Sequence, residues 1–151
     1  MVQCPHFGVR PARPGEFAFA EKIYIDSMRP LLVGLVPWNE IERRAALRRS
    51  FKADDVSIIF LDGKDIGWMQ VSERDTDYNL AQMQLFTDYC GRGIGTRLVT
   101  ELLECARRKG KTVSLSAVRT NRAIGLYERL GFRVIDPDAT PIIDMVWEPG
   151  E

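Results

Sequence analysis

A chain of 151 residues, 45% of them hydrophobic, has the length of one ordinary domain with room for a real core. Its 21 basic and 21 acidic side chains cancel, which removes bulk attraction to nucleic acid or an anionic membrane and favours a compact ligand over a polymer. One histidine and three cysteines without paired ligand spacing argue against a metal site and a disulfide scaffold; no apolar run approaches the roughly 20 residues that span a bilayer, and residues 1–6 lack the layout of a secretory leader, so a cytoplasmic protein is expected.

Residues 7–12 are predicted as a first strand. Pro14, Gly15 and Glu16 then open a helix on which Phe17, Ala20, Ile23, Tyr24 and Met28 recur at helical spacing until Gly34 and Pro37 interrupt it. A second helix over residues 38–51 sets Ile41, Ala45 and Leu47 among Glu40, Glu42, Arg43, Arg44, Arg48 and Arg49, and those arginines read most simply as a solvated face. Residues 56–61 and 66–72 flank Asp62-Gly63-Lys64, a hairpin signal. After a polar loop, residues 78–86 alternate, with Ala81, Met83 and Leu85 on one face and Leu80, Gln82 and Gln84 on the other, as a third antiparallel strand.

A long amphipathic helix follows, with Leu98, Val99, Leu102, Leu103 and Ala106 inward and the pairs Arg97–Glu101 and Glu104–Arg108 outward, until Gly110 stops it. Residues 113–118 form a strand of a crossover unit and are therefore locally parallel to the preceding one. Thr120 or Asn121 caps a short helix carrying Ala123, Ile124, Leu126, Tyr127 and Leu130, closed by Gly131 with Phe132 packing behind it. Residues 132–135 and 142–147 are the last strands. The predicted class is α/β: a mixed sheet of about seven strands with helices on both faces, in one domain over residues 1–151.

The junction Cys90-Gly91-Arg92-Gly93-Ile94-Gly95-Thr96 joins a strand to the long helix. Glycines allow positive φ and close backbone approach, and the first helical turn leaves N–H donors without intrahelical partners, so the segment suits an anion such as phosphate. A P-loop would need Gly-Lys-Ser/Thr, whereas Gly95 precedes Thr96-Arg97. A dinucleotide fingerprint would follow the first strand of a parallel sheet and be answered by an acidic residue after the next strand, where Arg119-Thr120-Asn121 stands. Cys90 near a helix N-terminus invites a nucleophile reading, but His6 is the sole histidine and lies far away in sequence, which favours a small packed thiol.

Gln84-Leu85-Phe86-Thr87-Asp88-Tyr89-Cys90-Gly91-Arg92-Gly93-Ile94-Gly95, followed downstream by Asn121-Arg122-Ala123-Ile124-Gly125-Leu126-Tyr127-Glu128-Arg129-Leu130-Gly131-Phe132, resembles the two motifs of the GNAT acetyltransferase superfamily. The resemblance covers most of the chain and implies a GNAT-like fold with acetyl-coenzyme A as donor. It implies a pyrophosphate held by the amides of Gly91, Arg92, Gly93, Ile94, Gly95 and Thr96, a pantetheine arm paired to the strand at Met83, Gln84 and Leu85, and Tyr127 as the acid that protonates the departing thiolate. Two positions depart from the family pattern: Cys90 replaces a glutamine or arginine, and the motif asparagine is either Asn121, displaced by one residue, or is replaced by Thr120.

The acceptor implied is a primary amine of a small molecule or amino-acid-like compound. Candidate bases for deprotonating it are Glu73, Asp75, Asp77, Glu40 and Glu42, and candidate pocket walls are Trp38, Trp68, Tyr24 and Met28. Homodimers are common in the family. The alternatives are a catalytically silent coenzyme A-binding regulatory module and a partner-binding protein using the arginines of the second helix.

Overall fold

The computed structural model describes residues 7–150, so Cys4 and His6 lie outside the described residues. Alternating apolar residues draw β1 (Phe7–Pro11), β2 (Val56–Leu61), β3 (Lys64–Glu73) and β4 (Asp77–Leu85) into an antiparallel meander. With β5 (Thr112–Val118), β6 (Arg133–Val134) and β7 (Ile142–Trp147) they form a seven-stranded sheet in the order β1-β2-β3-β4-β5-β7-β6. Helix α3 (Ile94–Lys109) is the crossover that makes β4 and β5 parallel, and α1 (Phe17–Leu32), α2 (Glu40–Ser50) and α4 (Ala123–Arg129) complete the chain.

Two apolar clusters cover opposite faces of this sheet. Ala20, Ile23, Tyr24 and Leu47 of α1 and α2 pack on Val56, Ile58 and Trp68. Ile94, Leu98, Val99, Leu103 and Ala106 of α3, with Tyr127 of α4, pack on Ile59, Ile66 and Met69 and on inward residues of β5 and β7. Ile58 and Ile59 are neighbours yet belong to different clusters, the period of two that lets one strand serve helices on both faces.

Charge fastens the edge of the molecule. The Glu16 carboxylate accepts two bonds from the Arg10 guanidinium (2.9 and 2.7 Å) and one from the Arg13 amide (2.6 Å), while Arg10 also donates to Asp65 (2.9 Å). This ties β1, the entry to α1 and the β2–β3 turn together. The bonds from Arg10 hold the Glu16 carboxyl down at about 2, below its ordinary value near 4.5. A carboxyl depressed on folding contributes stability that is complete above the ordinary value and lost as pH falls toward the folded one. Glu16→Gln therefore flattens the decline in urea-unfolding free energy between about pH 4.5 and 2; an unaltered decline would show that the cluster stabilises nothing.

Three expectations, two about helix faces and one about a strand, change. Arg44 pairs with Glu21 (2.6 Å) and Glu40 (2.9 Å), Arg48 reaches Glu21 (3.6 Å) and Arg49 reaches Glu42 (3.5 Å), so most of the α2 arginines are neutralised internally, leaving little of a cationic docking face. On α3 the Arg97–Glu101 pair forms (3.7 Å), but Glu104 takes Arg107 (2.8 Å), because Arg108 turns to the Cys105 sulfur (3.6 Å). On β4 strict alternation fails. Gln70 pairs Gln82 and Val71 pairs Leu80, so Ala81 is an extra, bulged residue. The bulge shifts the phase: Tyr78 and Leu80 before it and Met83 and Leu85 after it all join one cluster, although Leu80 was expected to face away from Met83 and Leu85.

Candidate active site

The bulge stands where the parallel pair comes apart. β4 pairs β5 only from Asp77↔Thr112 to Leu80↔Leu115, although β4 continues to Leu85 and β5 to Val118. Beyond Leu80 the strands diverge, so β4 presents the main-chain polar groups of residues 82–85 along an edge without a neighbouring strand. A cleft of about 220 Å³ lies at the gap. Met83 and Gln84 line it on the β4 side, and Ser116, Ala117 and Val118 on the β5 side.

The glycine segment sits at the end of the same strand. Gly91 and Gly93 have φ of +77° and +84°, with nothing near the position a Cβ would occupy, which is backbone an L side chain rarely adopts. The first helical bond of α3 runs from the Arg97 N–H to the Gly93 carbonyl (3.1 Å), which leaves the amides of Ile94, Gly95 and Thr96 without helical acceptors. Ile94 offers its amide alone, because its side chain is buried in the core. A Cβ on Gly95 would lie 3.3 Å from the Met83 methyl, so the helix start rests directly on β4. Arg92 stacks on the Tyr89 ring at 5.0 Å, extending a cation beside these amides.

Tyr127 lines the cleft from α4 and packs edge-on against Phe132, ring centroids 5.6 Å apart. Burial pushes its hydroxyl up to about 12, so it carries its proton throughout the neutral range. Asn121 also lines the cleft, and its side-chain oxygen accepts from the Ala123 amide (2.8 Å), anchoring the turn into α4. The Thr120 hydroxyl is engaged elsewhere: it donates to the Leu31 carbonyl (2.8 Å) and ties this turn to the end of α1. Cys90 is exposed rather than packed; its thiol lies 3.7 Å from the Phe86 carbonyl oxygen, and partial desolvation raises its pKa, which opposes a thiolate role.

None of the five candidate carboxylates lines the cleft. Glu73 is held by Lys111 (2.8 Å) and Lys109 (2.9 Å), which press its carboxyl down to about 2; Asp77 is held low by Arg74 and Ser114. Glu40 and Glu42 are the partners of Arg44 and Arg49. Of the expected walls, Tyr24 and Met28 line the cleft and Trp38 lines an adjoining chamber of about 300 Å³. Trp68 belongs to the core: it is fully buried and donates its indole N–H to the Ala20 carbonyl (3.0 Å). Arg43, Gln82, Ser116 and Ile142 line the cleft without having been singled out. Arg43 alone left a signal, standing one helical turn before Leu47, the buried residue of α2.

A strand that stops pairing beside an unpaired run of helix N-terminal amides suits a ligand with an amide-bearing arm and a diphosphate, the layout of an acyl-coenzyme A transferase. The comparisons agree. Residues 52–134 match the model of the acetyltransferase (GNAT) domain, more than half of the sequence, and the chain belongs to this family of acetyl-CoA-dependent acyltransferases. An uncharacterised N-acetyltransferase of Methanocaldococcus jannaschii is 31% identical over 70 residues, covering 45% of this chain and 31% of that protein. The chain thus matches about a third of that relative's length.

Among solved structures, the PaiA N-acetyltransferase of Thermoplasma acidophilum in complex with coenzyme A superposes with a TM-score of 0.73 at 17% identity, covering 94% of this chain and 98% of its own. N-acetylglutamate synthase of Neisseria gonorrhoeae, complexed with coenzyme A and N-acetyl-glutamate, gives 0.66 at 16% identity over 96% of this chain and 35% of its own. At these identities the likeness establishes the fold, with the seven-stranded mixed sheet and helices on both faces that the sequence predicts. Among the described residues, no helix is long and apolar enough to cross a membrane.

Proposed function

We propose that this chain is an N-acetyltransferase that moves the acetyl group of acetyl-CoA directly to a primary amine of a small-molecule or amino-acid-like acceptor, with Tyr127 as the general acid. The observation that carries the reading is the unpaired edge of β4 past Ala81, which lines a cleft with Tyr127 and at Met83 meets Gly95 in the first turn of α3. The donor's diphosphate meets the amides at the positive end of α3, with Arg92 beside them, and its pantetheine amides extend the sheet at Met83, Gln84 and Leu85. Asn121 fixes the turn that carries the catalytic helix past the donor.

The amine nitrogen attacks the thioester carbonyl carbon, and a strand N–H near Leu85 stabilises the oxyanion. Collapse of the tetrahedral adduct re-forms the carbonyl and breaks the C–S bond. The leaving sulfur takes the Tyr127 proton, and solvent reprotonates the phenolate. With no carboxylate among the described residues lining the cleft, the amine's own proton leaves to water.

The test is thiol release from acetyl-CoA across a panel of primary amines, amino acids and polyamines, read against the rate without acceptor. Amine-dependent release with a matching acetylated product is expected. Donor binding without release would identify a silent coenzyme A-binding module, and no donor binding would end the reading.

A further inference from the structure

Resting on that acetyl-transfer reading, we propose that the acceptor carries a carboxylate and that Arg43 binds it. Arg43 differs from the other arginines of α2. Arg44, Arg48 and Arg49 each have a carboxylate partner, whereas the Arg43 side chain makes no ion pair or hydrogen bond with any described residue. Its backbone is fixed by the bond from its N–H to the Asn39 carbonyl (3.0 Å), and its place one turn before Leu47 aims it inward, where it is half-buried. It lines both the cleft and the adjoining chamber, so the two cavities meet at Arg43 and Ile142.

The surroundings supply no internal anion for it. Arg43 is the one charged side chain among the described residues that line the cleft, where Gln82, Gln84, Ser116 and Asn121 provide neutral polar groups. In the chamber the other charged residue is Glu42, whose carboxylate stands 3.5 Å from Arg49. A guanidinium that has lost part of its hydration without gaining a partner favours a ligand able to supply one, and its planar fork matches a carboxylate bidentately. A single fork balances one negative charge, which suits a carboxylate better than a dianionic phosphate. Val36, Pro37, Trp38 and Ile142 then offer apolar surface to the rest of the acceptor.

The test compares matched acceptors in the full-length protein: L-leucine with isopentylamine, L-phenylalanine with phenethylamine and β-alanine with ethylamine, with O-phosphoethanolamine as the phosphate arm. At least one carboxylate-bearing member is expected to exceed its uncharged partner in kcat/KM by about 10- to 100-fold, the range for a hydrogen-bonded charge. Arg43→Gln should erase that ratio, mainly by raising KM for the carboxylate-bearing member well beyond any change for its uncharged partner, and Arg43→Lys should restore part of it. Parity in the unsubstituted protein, a ratio unaffected by Arg43→Gln, an equal loss for both members of a pair, or preference for O-phosphoethanolamine would each overturn the proposal. Transfer to uncharged amines alone, or acetyl-CoA binding with no transfer to any carboxylate-bearing amine, overturns the role of Arg43 and leaves the coenzyme site standing; failure to bind acetyl-CoA in calorimetry overturns the underlying reading as well.

Discussion

Tyr127→Phe lowers turnover with the best acceptor by about 10²- to 10⁴-fold, the usual worth of a positioned general acid, while the dissociation constant for acetyl-CoA stays within about twofold. The phenylalanine keeps the contact with Phe132 and the buried surface of the helix, so little but the proton is removed. The hydroxyl's raised value, about 12, predicts a further signature. A tyrosine held neutral on folding contributes stability that is whole below its ordinary value near 10 and fades as pH rises through 12. That alkaline loss is present in the parent protein and absent in the variant. Steady-state kinetics and alkaline unfolding curves check both halves, and undiminished turnover would retire Tyr127 as the acid.

Gly67→Ala damages the protein more broadly, although it adds one methyl group. Gly67 faces Leu85 across the β3–β4 ladder, and a Cβ there would collide with the Gln84 carbonyl oxygen and stand 3.1 Å from the Leu85 Cα. Both are main-chain atoms of a paired strand, so neither can retreat without breaking ladder bonds. We expect a loss of about 3 kcal/mol in urea unfolding, at the upper end for overpacking. Acetyl-CoA affinity falls with it, because Gln84 and Leu85 belong to the proposed donor edge. Gly34→Ala is the control, since nothing lies near its added methyl. Parent-like stability of Gly67→Ala would mean that the two strands separate at negligible cost.

The readable parts of this fold were those governed by local periodicity. The inward stripe of α3, the Asp62-Gly63 hairpin turn and the run from Leu126 to Phe132 lie within a few residues of one another in sequence, and the structure has them as expected. What escaped depends on partners remote in the chain. The bulge at Ala81 exists only relative to the register with β3, and with it goes the phase of β4. Trp68 and Tyr24 both join the core beneath α1, but only the packing of α1 on the sheet seals Trp68 away and leaves Tyr24 also lining the cleft. Glu73 resembled a candidate base until folding brought Lys109 and Lys111 to it. Composition places Arg43 with its neighbours on a solvated face, because it cannot say which of several adjacent cations turns inward.

The separation of β4 from β5 has a thermodynamic corollary. In the proposed complex, a donor arm along residues 82–85 supplies the hydrogen-bonding row that the protein itself withholds, and the sheet becomes continuous only as a two-component object. Occupancy then acts as the last step of folding for that half of the strand. Resistance of this region to unfolding and to amide exchange therefore tracks how much thioester surrounds the protein, making the fold a gauge of its own substrate supply.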